Sequence, residues 1–212
     1  MSQREEIIAV AAKEIGYKEY QGNNNKFGVW YGMNNQPWCA MFVSWCADQV
    51  GVLGNNNKSG IIPRTAWVPD YLTYYSSKGL YKAKGSYTPK GGDIIIYGSN
   101  SHVGLVEQVS NGKVITIEGN TSANGNSSNG DGVYRRTRSL NDSWIKGYCV
   151  PEYEEEEEVM RYQKLSEIPS WGKATVDKLI KQGIIQGNTK GLDISDDMLR
   201  VLVWNDRAGL YD

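Results

Sequence analysis

The sequence predicts an α+β fold, and three observations carry that prediction. Helix-period apolar spacing marks the residues before Gly79. Short β-branched runs separated by turn residues follow as far as Val150. An acidic run then sets off a tail whose periodicity is helical again. Helices first and an antiparallel meander after them is the order of a fold with its helices segregated from its sheet.

The elements follow in chain order. "SQRE" reads as a capping box, with Ser2 as N-cap and Glu5 reaching back, and Ile7, Ile8, Ala11 and Ile15 share one helical face. The opening stretch has no apolar block of signal-peptide length and carries Glu5 and Glu6, so the expectation is a protein made in the cytoplasm without a leader. An Asn/Gly-rich aromatic segment, "YQGNNNKFGVWYGMNNQ", reads as a loop, and a helix then starts near Cys39 and runs to Gly51. "TAWVPDYLTYYSSKG" is an amphipathic helix with Pro69 in its first turn. "DIIIYG", "HVGLVEQV", "KVITIEGN", "VYRRTRSL" and "KGYCV" are the strands, divided by turns such as "SNG" and the low-complexity "TSANGNSSNGDG".

These patterns divide the chain into a domain over residues 1–151, an acidic linker over 152–159, and a small helical module over 160–212. In the module, "WGKATVDKLIKQG" places Ala174, Val176, Leu179 and Ile180 near one side and stops at Gly183. Ser195 caps a last helix that ends at Gly209. About fifty residues are marginal alone, so the module is expected to pack on a partner or on a second copy. The net charge of −1 argues against bulk nucleic-acid binding. It is uneven, with 15 Lys/Arg against 11 Asp/Glu over 1–151 and 8 against 13 over 152–212. No run reaches the length of a membrane span.

Cys39, Cys46 and Cys149 are an odd set for disulfides and have no zinc-ribbon or C-x-x-C spacing, while the single His102 leaves a metal short of ligands. In "PWCAMFVSWC", Pro37 is tolerated only at a helix start, which puts Cys39 in the first turn. Unpaired amides and the helix dipole there favour a thiolate, whereas Cys46 lies among apolar residues as a small core hydrophobe. A buried structural role for Cys39 stays open on these residues alone. A cysteine nucleophile needs a base, and His102 opens a strand after the polar "GSNS" turn. If that strand and "KVITIEGN" form a hairpin around "SNG", residue 102 faces about 118–120, beside Glu118 or Asn120. Either would fix the tautomer of the imidazole. Tyr and Trp far outnumber Phe, which suits a half-wet groove, and Trp30, Tyr31 and Trp38 are its candidates.

"PWCAMFVSWCADQVG", "GDIIIY", "SHVGLVE" and "ITIEGNTS", in this order, resemble the cysteine, histidine-dependent amidohydrolase/peptidase (CHAP) family of peptidoglycan hydrolases. The resemblance covers about residues 5–150 and implies a papain-like α+β domain. It implies Cys39 as nucleophile, His102 as base, Glu118 as acidic partner and Asn120 as polar helper. Gln36, three residues upstream of the nucleophile, becomes a candidate second oxyanion donor beside the Cys39 amide. Some family members bind calcium through Asp-rich loops before the cysteine. Here that region reads "GNNNKFG" without acids, so no metal or other cofactor is expected. The tail resembles part of an S-layer homology repeat and the end of a module found on phage lysins. That implies binding of a secondary wall polymer or homo-oligomerisation. The combination resembles a phage endolysin, which leaves the cytoplasm through a holin pore and acts on bacterial peptidoglycan. Cleavage of the N-acetylmuramoyl–L-alanine amide, cleavage of a stem or cross-bridge peptide bond, and a non-catalytic wall-binding role are the readings this leaves.

Overall fold

The computed structural model describes residues 1–123, 129–154 and 160–212. The chain forms two compact units, Met1–Glu155 and Glu156–Asp212. The centre of the low-complexity turn and residues 155–159 of the acidic run lie outside the described residues.

In the first unit, α1 (Gln3–Lys13) starts with the Ser2–Glu5 capping box and buries Ile7 and Ala11. The segment read as a loop holds a short helix, α2 (Lys26–Tyr31). Its signals are local: Asn25 caps it by accepting from the Gly28 amide, and Gly32 ends it at φ 89°. Six residues are too few to show helical periodicity, so only the caps could have revealed it. Helix α3 (Cys39–Gln49) follows Pro37 and its N-cap Trp38, and α4 (Val68–Ser77) carries Pro69 in its first turn. The sheet is antiparallel, in the order β1 (Tyr81–Ala83), β6 (Ile145–Cys149), β2 (Ile94–Tyr97), β3 (His102–Ser110), β4 (Lys113–Thr121), β5 (Gly132–Ser139). The meander β2–β5 thus has its last strand, β6, returning beside β2, with β1 outside it.

Alternation sorts the strands onto two faces. Ile94, Ile96, Val103, Leu105 and Ile117 join the residues of α1 and α3 in the main core. Ile95, Tyr97, Val106 and Val114 form a smaller cluster on the opposite face. A bulge between Val106 and Gln108 inserts Glu107 into β3, so Val106 and Val109 both reach that second face despite their odd spacing. Residues 152–154, expected to be linker, partly belong to this unit: Tyr153 is buried and its hydroxyl donates to the Gly92 carbonyl at 2.7 Å.

The second unit has its own small core of Tyr162, Ile168, Val176, Ile194, Leu199 and Val203. Besides the two helices, α5 (Ser170–Lys181) and α6 (Asp196–Arg207), a two-stranded ribbon joins β7 (Arg161–Tyr162) to β8 (Ile194–Ser195). Ala174, expected on the apolar face of α5, is exposed; Gly172 and Thr175 are buried instead, Gly172 because a Cβ there would collide with Leu199.

Gly119 sets how closely α3 lies on β4. A Cβ on it would come within 2.6 Å of Phe42 and 2.7 Å of Trp38. Gly119→Ala is expected to cost about 1–3 kcal/mol through this overpacking. A urea titration checks it: the midpoint should fall at unchanged slope, and an unchanged midpoint would mean that α3 can shift freely.

Candidate active site

Cys39 is the first residue of α3 and His102 the first of β3, and Glu118 lies near the end of β4. The structure brings the last two into direct contact. His102 Nε2 lies 3.0 Å from Glu118 Oε2, and both side chains are fully buried. The observed register pairs Leu105 with Ile117, and continued it sets Gly104 opposite Glu118 and His102 opposite Asn120. His102 and Glu118 are therefore diagonal neighbours on one face. Gly104 makes that diagonal passable, because a Cβ there would sit 2.6 Å from Glu118 Cγ.

The carboxylate is held on both oxygens. Tyr97 Oη and Thr116 Oγ1 each donate to Glu118 Oε1 at 2.7 Å. Arg138, nearly buried on β5, brings its Nη2 to 3.8 Å from Oε2. Its guanidinium also lies over the rings of Tyr97 and Trp144, which stack on each other at 4.5 Å between centroids. The His102 ring is near-parallel to both, at 5.7 Å from each. Tyr97, Arg138 and Trp144 are absent from the sequence-based site. The fact that Tyr97 directly pairs with His102 across β2 and β3 is legible only once the register is known.

With Nε2 engaged by Glu118, Nδ1 is the ring nitrogen left for Cys39. Nδ1 is buried and has no hydrogen-bond partner among the described residues. Cys39 acts on the ring through its charge. Burial opposes a charged imidazole here. The Glu118 hydrogen bond and the charges of Cys39 and Glu118 outweigh it and push the His102 pKa up to about 9. Glu118 is pulled below its usual range despite burial, because His102, Thr116 and Tyr97 all favour its ionised form. Cys46 and Cys149 lie in the apolar core, where burial pushes both thiols up. The arrangement is a cysteine at a helix start facing an imidazole that holds its proton at neutral pH, backed by a buried carboxylate. It can form a nucleophile–base pair.

Asn120 is buried beyond Glu118 at φ 54°, in a register shift between β4 and β5, and its carbonyl accepts from Gly130 at 2.9 Å. Gln36 is exposed just before α3. Trp38 is displaced from its expected groove role: it is 0% exposed, stacks on Phe27 at 5.1 Å, and its indole N–H donates to Glu19. An N-cap position directly over Gly119 leaves its large ring nowhere to go but the core. Trp30 and Tyr31 are half-buried on α2 and line surface cavities whose walls do not include Cys39. Among the described residues, no group of three or more His, Cys, Asp or Glu side chains could hold a metal ion. None of the described helices is long and apolar enough to cross a membrane.

The single imidazole makes the pair directly testable. In wild type its NMR titration midpoint should lie near 9, and Glu118→Gln or Cys39→Ala should each lower it toward the ordinary 6.5. Because the folded value is raised, the pair's contribution to stability is complete below about 6.5 and is lost as pH rises through about 9. Glu118 adds the mirror-image limb, lost as pH falls through its lowered value. A midpoint that ignores both substitutions would dissolve the pair.

No curated protein matches the chain. Among solved structures it resembles the one described as the crystal structure of Ly7917, at 15% identity and a TM-score of 0.42, over 70% of this chain and 62% of that one. It also resembles the crystal structure of Ly7917 with the hydrolyzing product of MDP, at 14% identity and a TM-score of 0.43, over 76% of this chain and 66% of that one. The chain therefore spans less than two thirds of either. Residues 30–120, the stretch that carries Cys39, His102, Glu118 and Asn120, match the family model of the CHAP domain.

Proposed function

We propose that this chain is a peptidoglycan hydrolase of the endolysin type, cleaving the N-acetylmuramoyl–L-alanine amide with Cys39 as nucleophile. The observation that carries the reading is the buried His102–Glu118 contact, which leaves the second imidazole nitrogen for a cysteine at the first position of a helix. The match of residues 30–120 to the CHAP domain supports the same chemistry.

His102, holding its proton, pairs as an imidazolium with the Cys39 thiolate and stabilises it. The sulfur attacks the amide carbonyl carbon, and the resulting oxyanion meets the free amides of the first turn of α3, the Cys39 N–H first. His102 gives its proton to the leaving nitrogen as the C–N bond breaks, leaving a thioester on Cys39. A water molecule gives a proton to His102, attacks the thioester, and the thiolate departs. Glu118 orients the ring and stabilises its charged form throughout without itself taking the proton. Gln36, exposed just before α3, is the candidate for the second oxyanion donor, and Asn120 for a polar helper beyond the acid.

For the second unit we propose a wall-contact or self-association role. The exposed Met198, Val201 and Trp204, spaced along one side of α6, support a contact surface there. On this reading the enzyme reaches the wall from the cytoplasm through a holin pore.

Purified Gram-positive sacculi incubated with the protein, with released fragments sequenced by mass spectrometry, test the proposal. Stem peptides with a free L-alanine amine are the expected product. New amines within the stem or bridge would replace the amidase by an endopeptidase on the same residues. No release from several wall types would leave a non-catalytic wall-binding protein. Cys39→Ala is expected to reduce release by at least about 10³-fold, and Glu118→Gln by about 10²–10⁴-fold. Undiminished release by Cys39→Ala would remove the nucleophile assignment.

A further inference from the structure

Two surface cavities of about 400 and 420 Å³ adjoin each other in the first unit and share Asn55 and Arg64. Trp30 walls one, and Tyr31 and Trp67 wall the other. Trp67 stands at the N-cap of α4 with 66% of its surface exposed, although a ring of that size is normally covered. The guanidinium of Arg64 lies 4.2 Å over the Tyr31 ring and 5.6 Å from that of Trp30, and donates to the Tyr31 carbonyl at 3.2 Å. It is held in place between the two cavities.

The asparagine-bearing loop beside it is equally fixed. Gly54 and Gly60 close its neck so tightly that a Cβ on either would overlap backbone of the opposite limb, and Gly60 sits at φ 85°. The Tyr74 hydroxyl donates to the Gly60 carbonyl, and Tyr75 donates to that of Ile61 at 2.7 Å. The Arg64 amide closes onto the Asn56 carbonyl at 3.0 Å. None of these bonds is needed to position Cys39, His102 or Glu118. They fix the backbone that carries Asn55, Asn56 and Asn57 beside exposed and half-exposed aromatic rings.

We propose that the two cavities form an extended subsite for a neutral acetamido-sugar oligomer. The apolar face of a pyranose ring packs on an indole, while its hydroxyl and acetamido groups need donors and acceptors around the edge, here the asparagine amides and the Arg64 guanidinium. Asp48 and Asp70 occur one in each cavity and flank the single guanidinium, which disfavours an anionic polymer. The adjacency of the two cavities, which share Arg64 and Asn55 as walls, suits a chain of sugars rather than a single one. The physiological role rests on the peptidoglycan reading, since glycan strands carry such sugars; the binding chemistry does not depend on Cys39.

The test is titration of the full-length Cys39→Ala protein with tetra-N-acetylchitotetraose, followed by indole fluorescence and by amide NMR. Saturable binding is expected, weakened at least tenfold by Trp67→Ala and largely restored by Trp67→Tyr. In the active protein, Trp67→Ala should raise the apparent KM on sacculi with kcat held. Absence of saturable binding, or binding indifferent to Trp67→Ala, overturns the subsite. Cleavage of sacculi without saccharide binding would sink the subsite alone. Saccharide binding without any cleavage supports the subsite and removes the hydrolase reading instead.

Discussion

The buried ionised carboxylate of Glu118 is the constraint around which the first unit is arranged. Removing a carboxylate from water costs several kcal/mol, and only close hydrogen bonds and opposite charge offset it. Here the offset comes from four elements: Tyr97 on β2, His102 on β3, Thr116 on β4 itself and Arg138 on β5. Two glycines then make room. Gly104 lets the carboxylate lean toward His102, and Gly119 lets α3 approach β4 closely. The site is thus a product of the sheet as much as of the residues that do chemistry. Replacing Thr116 or Tyr97 would leave the buried charge short of a donor rather than remove a contact of its own.

Much of this was legible in the chain. Pro37 put Cys39 in a first turn, and the alternation of Val114, Thr116 and Glu118 put the acid on one face. The turn between β3 and β4 brought position 102 opposite the end of β4. What stayed hidden has physical reasons. Tyr97, Arg138 and Trp144 come from strands or turns whose neighbours depend on sheet order, and sequence spacing does not encode that order when β6 returns beside β2. Trp38 looked like a groove residue because indoles often are. Its position over a glycine makes it a core residue, and that follows only from the contact between α3 and β4. Helix α2 was too short for periodicity to register, although both its caps were written in the sequence. At Tyr153, acidic neighbours disguised a core residue, because composition averages over the one side chain that packs.

The second unit stands apart in its economy. Six buried apolar residues and two packed helices form its core, and Gly172 lets Leu199 close against α5. A core of this size leaves little stability to spare, and apolar side chains left exposed on the unit add nothing to it. Trp204 is 63% exposed while Val203 beside it is 3% exposed. The helix divides its apolar residues between a face that folds the unit and a face that does not.

The bulge at Glu107 has a consequence for how the hairpin can change length. From Ser110 and Lys113 at the turn, the two strands pair regularly until β3 carries one residue more than β4. The bulge absorbs that surplus, and His102 comes out on the same side as Glu118 and not the reverse. The hairpin therefore keeps a parity. Loss of one β3 residue at or beside Glu107 removes the bulge and leaves the facing residues at the site unchanged, whereas the gain of one residue there adds a second surplus that, unless a further bulge takes it up, inverts one partner of the pair. What the sheet fixes is the parity of the residue count between the turn and the imidazole, and the turn side chains have no part in it.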